Sequence, residues 1–336
     1  MGESERKPIA VVGGTGFVGR HAVRELTERG WPVRVLARDA KKASSVLPDA
    51  EAAPALTIIE GDPFDDAALA RLGDTDDGLG GLLNCVGLRR EVPGNTFARA
   101  HVGVVERTLG LLRERGGDGA RYLLVSALGV GPNAETEYAR SKFAGETLVR
   151  RSGLGWTIFR PSVVHGPDGE MCKMLKGWAL GRSAPFVFMP WFCRVEFETG
   201  FPPKPPRFES AVIAPVAVSD VARAIARSME SDDAEGEVYP LCGPEELTWP
   251  EFLRFARDHV PMASSSKPVL GLPGHLCAAM AVAAKPLGLA SALPFGPSEP
   301  LLAIKDNTAE TDKAREHLGF EPAGFREQFA AYADRI

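Results

Sequence analysis

The chain has 336 residues, of which 44% are hydrophobic and 25% charged, a composition that suits a globular enzyme and excludes a disordered chain. Its formal net charge of −5, with no long basic run, excludes a nucleic-acid binder, which needs surplus Lys and Arg to displace phosphate counterions. Cys85, Cys172, Cys193, Cys242 and Cys277 show neither CxxC pairing nor His/Cys metal spacing, so no metal site is expected and they read as reduced thiols of a cytoplasmic protein.

Met1 to Pro8 is charged and leads straight into a strand, without the apolar core of a signal peptide. From there short β-branched runs alternate with helical stretches. Strands are predicted over Ile9 to Val12, Val33 to Ala37, Leu56 to Glu60, Gly81 to Val86, Arg121 to Ser126 and Trp156 to Arg160. Helices are predicted over Phe17 to Arg29, Ala67 to Leu72, Thr96 to Glu114 and Tyr138 to Arg151. Pro161 to Pro215 is rich in Pro, Gly and aromatic residues and reads as an insertion beyond the sheet. A helix over Val218 to Met229, with Asp220 near its positive end, and a strand over Glu237 to Leu241 follow. From Thr248 the chain reads as helical and proline-punctuated. Its most apolar stretch, Leu276 to Ala284, is interrupted by Lys285 and Pro286, well short of the roughly 20 residues of a membrane span. Peripheral contact with a membrane surface stays open.

Directly after the first strand stands Gly13-Gly14-Thr15-Gly16-Phe17-Val18-Gly19, which satisfies both GxGxxG and GxxGxxG. Side chains at the glycines would hold a diphosphate away from the backbone amides at the amino end of a helix. With a strand before it and an amphipathic helix after it, the motif has the context a dinucleotide site requires. The chain is therefore expected to be α/β, with a Rossmann-type doubly wound parallel sheet and a smaller, mainly helical carboxy-terminal substrate lobe. The NAD(P)-binding domain is assigned to residues 8–165 and 211–243, the smaller lobe to 166–210 and 244–336. The second strand ends in Ala37 and is followed by Arg38 and Asp39. A guanidinium suits a 2′-phosphate, which favours NADP(H), whereas Asp39 at the ribose would leave NAD(H) open. Asp62, after the third strand, is placed to meet the adenine ring.

Tyr138 and Lys142 stand at i and i+4 of one helix, and Ser126 at the carboxyl end of the fifth strand, where ligands of open α/β sheets bind. Carbonyl reduction needs a proton donor beside the oxygen that hydride transfer makes negative. Moving a phenol from about pKa 10 to about 7 takes roughly 4 kcal/mol. A lysine charge about 4 Å away at an effective dielectric near 20 supplies about that much before desolvation. On this reading Tyr138 is the acid/base, Lys142 tunes it and Ser126 orients the substrate oxygen.

These residues, with Asn84-Cys85-Val86-Gly87 and Arg160-Pro161-Ser162, resemble the short-chain dehydrogenase/reductase superfamily in its extended and atypical branches, along most of the chain. The resemblance implies that Val86 and Gly87 lie along the cofactor, that Lys142 also bonds the nicotinamide ribose, and that Pro161, Ser162 and Val163 flank the nicotinamide. More narrowly, Ser126-Ala127-Leu128-Gly129, Tyr138 to Lys142, Val218 to Ala222, Asp306-Asn307 and Leu318-Gly319-Phe320 look like the group around the 39-kDa accessory subunit of respiratory complex I, in which NADPH can be held without evident turnover. Ser126 is followed by Ala127 and Leu128, not by an Asp-Glu pair, so likeness to the sugar-nucleotide dehydratases is poor.

The aromatic run Phe186 to Phe192, with Trp178, Phe197 and Phe201, reads either as the wall of an apolar substrate pocket or as a subunit contact and lobe core. Lys173, Lys176, Arg182 and Arg194 could meet an anionic group or form a solvated face, and His165 and His101 are weaker candidates. The expected activity is hydride exchange with a carbonyl or alcohol of a mainly apolar small molecule. The alternatives are a non-catalytic NADPH-binding subunit docked on a membrane complex through Leu276 to Leu293, and an NAD-dependent epimerase. An oligomer is compatible with each.

Overall fold

The computed structural model describes residues 6–49, 53, 55–198, 204–284, 286–289 and 293–336; Phe201 and Lys285 lie outside them. The amino-terminal half runs β1 (Ile9–Val12), α1 (Phe17–Glu28), β2 (Val33–Ala37), α2 (Ala40–Ser44), β3 (Leu56–Glu60), α3 (Asp66–Leu72), β4 (Leu79–Asn84), α4 (Val104–Arg115), β5 (Gly116–Val125), α5 (Glu137–Arg150) and β6 (Gly155–Pro161). These strands and Glu237–Leu241 form one seven-stranded sheet, in the order Glu237–Leu241, β6, β5, β4, β1, β2, β3, with every pairing parallel. Winding reverses between β1 and β4, which opens a crevice at their carboxyl ends.

Both faces of the sheet are covered, so its strands are apolar runs without polar alternation. All four β1 residues are buried. Ile9 and Val11 join a core with Ala22, Val23 and Leu26 of α1 and with Val221 and Ile225 of the helix Val218–Ser228. Ala10 and Val12 face the other side, against Leu69 and Leu72 of α3 and Val105 and Leu109 of α4.

A third core belongs to the remaining helices, through Cys172 and Leu175 of Glu170–Ala179, Phe252 and Leu253 of Trp249–His259, and Phe325 and Phe329 of Phe325–Tyr332. Two segments differ from expectation here. Met189–Glu196, inside the stretch read as irregular, is a strand; it pairs antiparallel with Arg207–Ser210 and parallel with Val269–Pro273. The last lies in the region read as helical; Pro268 before it and Pro273 at its end disfavour helix and leave a short extended run. Among the described residues no helix is long and apolar enough to cross a membrane, and the apolar helix Gly274–Ala284 has 11 residues.

The helix predicted from Thr96 contains a π-helical turn, Arg99–Gly103, before α4. Such turns rotate following side chains out of α register and are frequent beside functional sites. This one carries His101.

Candidate functional site

Gly13 adopts φ +76°, in the left-handed region, and a Cβ there would stand 2.8 Å from the Cys85 carbonyl carbon and the Val86 nitrogen. A Cβ on Gly19 would overlap the Gly13 carbonyl oxygen, and one on Gly14 would come within 2.8 Å of Val35 Cγ1. The turn therefore closes against β2 and the end of β4 only as bare backbone. Gly16, which donates to the Gly13 carbonyl at 3.0 Å, is the N-cap of α1; no side chain caps that helix and no acid occupies its first turn. Its first amides are thus available to an anion, and the cradle fits a dinucleotide diphosphate.

Val18 packs against the first core, and Phe17 lies over Gly166 and Gly169, where a Cβ would come within 3.1 and 2.7 Å of the ring. Thr15 is half-buried in the turn. A connection not anticipated from sequence secures this end. Arg20 donates through Nε to Asp168 Oδ2 at 2.6 Å and through Nη2 to the Asp168 carbonyl at 3.1 Å, while His21 Nε2 lies 3.2 Å from both carboxylate oxygens.

At the other end of the crevice Arg38 is exposed and, among the described residues, has no hydrogen-bond or ion-pair partner. Asp39 is the N-cap of α2 and its Oδ1 accepts from the Lys42 amide at 2.9 Å, which ties one of its two carboxylate oxygens to the start of that helix. Asp62 accepts from the Phe64 amide at 3.0 Å and lies 3.6 Å from the Arg99 guanidinium.

Beyond β4, Val86 donates its amide to Asn84 Oδ1 at 2.9 Å, and Asn84 Nδ2 donates to the Tyr122 hydroxyl at 2.9 Å. Gly87 is exposed and near Lys142: a Cβ on it would lie 3.9 Å from Nζ. His101 ties this loop to α5. Its Nε2 accepts from the Leu88 amide at 3.1 Å, its Nδ1 donates to Ser141 Oγ at 2.8 Å, and Ser141 donates to the Tyr138 carbonyl at 2.8 Å. Burial and the Lys142 charge lower the His101 pKa to about 3, so the ring is neutral and both roles are open to it.

Ser126 and Lys142 line one small cavity with Asn84, Val86 and His101. Ser126 Oγ is buried there with no hydrogen-bond partner, an open polar atom that a bound oxygen would satisfy. The Tyr138 ring meets His101 edge-on at 5.5 Å and Phe97 at 5.8 Å. Lys142 Nζ donates to the Val125 carbonyl at 3.1 Å and lies 5.9 Å from the centre of the Tyr138 ring. The electrostatic expectation is corrected here. Burial pushes the Tyr138 phenol up to about 12, against a smaller opposing pull from Arg89, so desolvation outweighs the stabilisation of a phenolate. Burial also lowers Lys142 to about 8, partly offset by Glu146. Glu146 is fully buried; it accepts from Arg160 Nε at 2.9 Å and Nη2 at 2.6 Å and from Arg150 at 2.8 Å, which binds α5 to β6.

Pro161 and Ser162 are buried and Val163 half-buried, but the Ser162 hydroxyl donates to Asn307, to its carbonyl at 2.8 Å and Oδ1 at 2.6 Å, leaving no free donor for a cofactor. His165 is bonded through Nδ1 to the Tyr332 hydroxyl at 2.8 Å, within the third core's aromatic residues. A cleft of about 250 Å³ opens between Arg89, Arg90 and Phe97 on one side and Val282, Pro297 and Leu301 on the other; Tyr138 does not line it but adjoins it through Glu137 and through its edge-on contact with Phe97. None of Phe186 to Phe192 lines it; Met189 and Trp191 pack in the third core and Phe192 against Phe295. Lys176 is bonded to the Ile336 carbonyl, and Arg194 to the Ile304 carbonyl at 3.2 Å.

Comparison with known proteins agrees with this geometry. Residues 13–177 match the family model described as NAD(P)H-binding. The chain is 33% identical over 170 residues to a ceramide reductase of Caulobacter vibrioides, covering 50% of this chain and 49% of that protein. It is 26% identical over 251 residues to NADH dehydrogenase [ubiquinone] 1 alpha subcomplex subunit 9, mitochondrial, of Arabidopsis thaliana, covering 74% and 57%. It thus spans about half to three fifths of the length of these relatives. The fold matches a UDP-glucose 4-epimerase of Thermotoga maritima, solved with UDP-glucose, at a TM-score of 0.68 and 18% identity over 97% of each chain.

Gly19→Ala is expected to weaken NADPH binding about tenfold or more, near 1.4 kcal/mol, by forcing the Gly13 carbonyl out of the turn. Gly110→Ala, at a helix position with open space around it, should bind as the parent does. Fluorescence titration with NADPH measures both; equal affinities would refute the assignment of the turn.

Proposed function

We propose that this chain, whose residues 13–177 form an NAD(P)H-binding domain on the fold of the extended short-chain dehydrogenases/reductases, exchanges hydride with a carbonyl or alcohol carbon of a mainly apolar small molecule. The observation that carries the reading is the unpartnered, buried Ser126 hydroxyl at the carboxyl end of β5, in a cavity shared with Lys142 and with His101, against which the Tyr138 ring packs. The relatives the chain resembles include a reductase.

When bound, a nicotinamide dinucleotide supplies or accepts the hydride. The α1 amides would hold its diphosphate, and the loop through Val86 and Gly87, anchored by Asn84 and His101, would contact it further along. Ser126 donates a hydrogen bond to the substrate oxygen. The phenol of Tyr138, kept neutral by a pKa near 12, delivers its proton to that oxygen as negative charge develops, and takes it back in the reverse direction. Lys142, charged below about pH 8, stabilises that developing charge. Residues 8–165 and 211–243 serve the dinucleotide, while 166–210 and 244–336 shape the substrate side.

We favour NADPH over NADH, because Arg38 is free to meet a 2′-phosphate while Asp39 caps α2. A second reading, a cofactor-binding subunit of a membrane complex, draws on the likeness to the complex I subunit and on the exposed apolar residues Leu276, Met280, Leu287 and Leu289.

Tyr138→Phe is expected to lower carbonyl reduction at least a hundredfold with NADPH affinity nearly unchanged, in steady-state assays paired with cofactor titration. Undiminished turnover in this variant would remove the mechanism, and a parent inactive on a broad carbonyl panel would favour the second reading. As pH rises through about 8 Lys142 loses its charge, so kcat/KM for reduction should fall on that alkaline limb. The residual activity of Lys142→Arg, whose guanidinium stays charged, should lack the limb. Arg38→Ala should weaken NADPH binding about tenfold and leave NADH binding unaltered.

A further inference from the structure

The cleft beside Tyr138 has two chemistries in its walls. Two guanidinium groups, Arg89 and Arg90, face four carboxylates, Glu91, Glu135, Glu137 and Glu299, so carboxylates are in excess. The guanidinium groups are also already paired, Arg89 with Glu170 and Arg90 with Glu299 at 3.3 Å. A nucleoside diphosphate or other phosphate head would meet net repulsion and would have to displace these partners. Three of the carboxylates are engaged as well, Glu299 by Arg90 and the Gly296 amide, Glu135 by Lys305 at 3.0 Å and Glu91 by the Phe97 amide at 2.9 Å; Glu137, without a partner among the described residues, is the acceptor left for a neutral or cationic head.

The remaining wall is apolar and includes Phe97, Pro297, Leu301 and Val282. Val282 is 56% exposed and belongs to both the cleft and the outer face of the helix Gly274–Ala284. Gly274, Cys277, Ala278, Ala281 and Ala284 of that helix are buried, while Leu276, Ala279, Met280, Val282 and Ala283 are exposed. At 100° per residue those exposed positions form one contiguous arc. The imidazole of His275, 3.9 Å from Glu135, stands at the Val282 edge of this arc; past it an alkyl chain leaving the cleft at Val282 meets the apolar residues Ala279, Ala283, Leu276 and Met280.

We infer that the cleft binds a long-chain amphiphile with an uncharged or cationic head, the head among Arg90, Glu135 and Glu137 beside Tyr138 and the hydrocarbon running past Val282 onto the helix Gly274–Ala284. This rests on the hydride-transfer reading for its orientation, with the head as the end that carries the reacting carbon.

Binding by itself tests it. The full chain with NADPH is titrated calorimetrically with N-butyl, N-octyl and N-dodecyl acetamide, dodecyl phosphate and UDP-glucose, each alkyl probe below its critical micelle concentration. Affinity for the acetamides should rise about twofold per added methylene, since the chain is buried on one side only. Dodecyl phosphate should bind at least tenfold more weakly than the dodecyl amide, and UDP-glucose weaker still. Val282→Glu, at a position exposed enough to tolerate it, should flatten the length dependence while the unfolding midpoint holds. Three results would overturn the inference: affinity independent of chain length, tighter binding of dodecyl phosphate or UDP-glucose, and co-sedimentation with phosphatidylcholine vesicles without affinity for the dispersed amides. The last would assign the helix face to a bilayer. Short ketones reduced with no chain-length gain would sink the inference alone; amphiphile binding with no carbonyl reduced would sink the hydride reading alone.

Discussion

Three stretches of backbone converge at the carboxyl edge of the sheet with no side chain between them. The turn at Gly13, the start of α1 at Gly19 and the loop after β4 at Cys85 and Val86 approach so closely that Cβ atoms at Gly13 and Gly19 would collide with main chain. Because the contact is between backbones, no rotamer change can relieve it. It aims the uncapped amides of α1 into the crevice where the winding reverses, and it fixes the loop that runs on to Leu88. The hydrogen bonds of Asn84 and His101 then carry that placement to Tyr122 and to Tyr138. The catalytic assignment inherits its geometry from this contact.

Burial sets the electrostatic character of the site. A phenol raised to about 12 and a lysine lowered to about 8 both reflect the cost of charge away from water, and each is forced toward its neutral form. Glu146 counters this for the lysine, and at full burial it accepts three hydrogen bonds from Arg160 and Arg150. The arginine of the Arg160-Pro161-Ser162 motif thus acts on the site through α5, while the serine is spent on Asn307. Two residues of one short motif bond to different parts of the molecule.

Much of the parallel sheet was legible because its strands are buried on both faces and therefore read as apolar runs separated by helix-period patterns. The glycine turn and the Tyr138–Lys142 pair were legible for another reason: each motif is written within a few consecutive residues, although the turn's packing partners at Val35, Cys85 and Val86 are not. What escaped was long-range. Arg20 and Asp168 are 148 positions apart, Ser162 and Asn307 145, and no local pattern announces either bond. The strand Val269–Pro273 escaped because five residues beside a long helical stretch carry little period of their own; its pairing with Met189–Cys193 decides it. The lysine's orientation was likewise hidden, since sequence spacing gives the helix face but not the pull of the Val125 carbonyl. The nearest legible sign of the Arg20 contact is its place directly after the last fingerprint glycine, where a side chain leaves the first turn of α1.

Arg20 and His21 grip Asp168 two residues before the helix Glu170–Ala179, whose inner face packs in the substrate-side core. The glycine turn at the start of α1 and the segment that leads into that core are therefore tied together through Asp168. Whatever shifts Asp168 when the cleft fills must also shift the mouth of α1, and a diphosphate seated there stiffens Asp168 in return. Any coupling that travels through this link is reciprocal: a change in affinity at one end is matched by the same factor at the other.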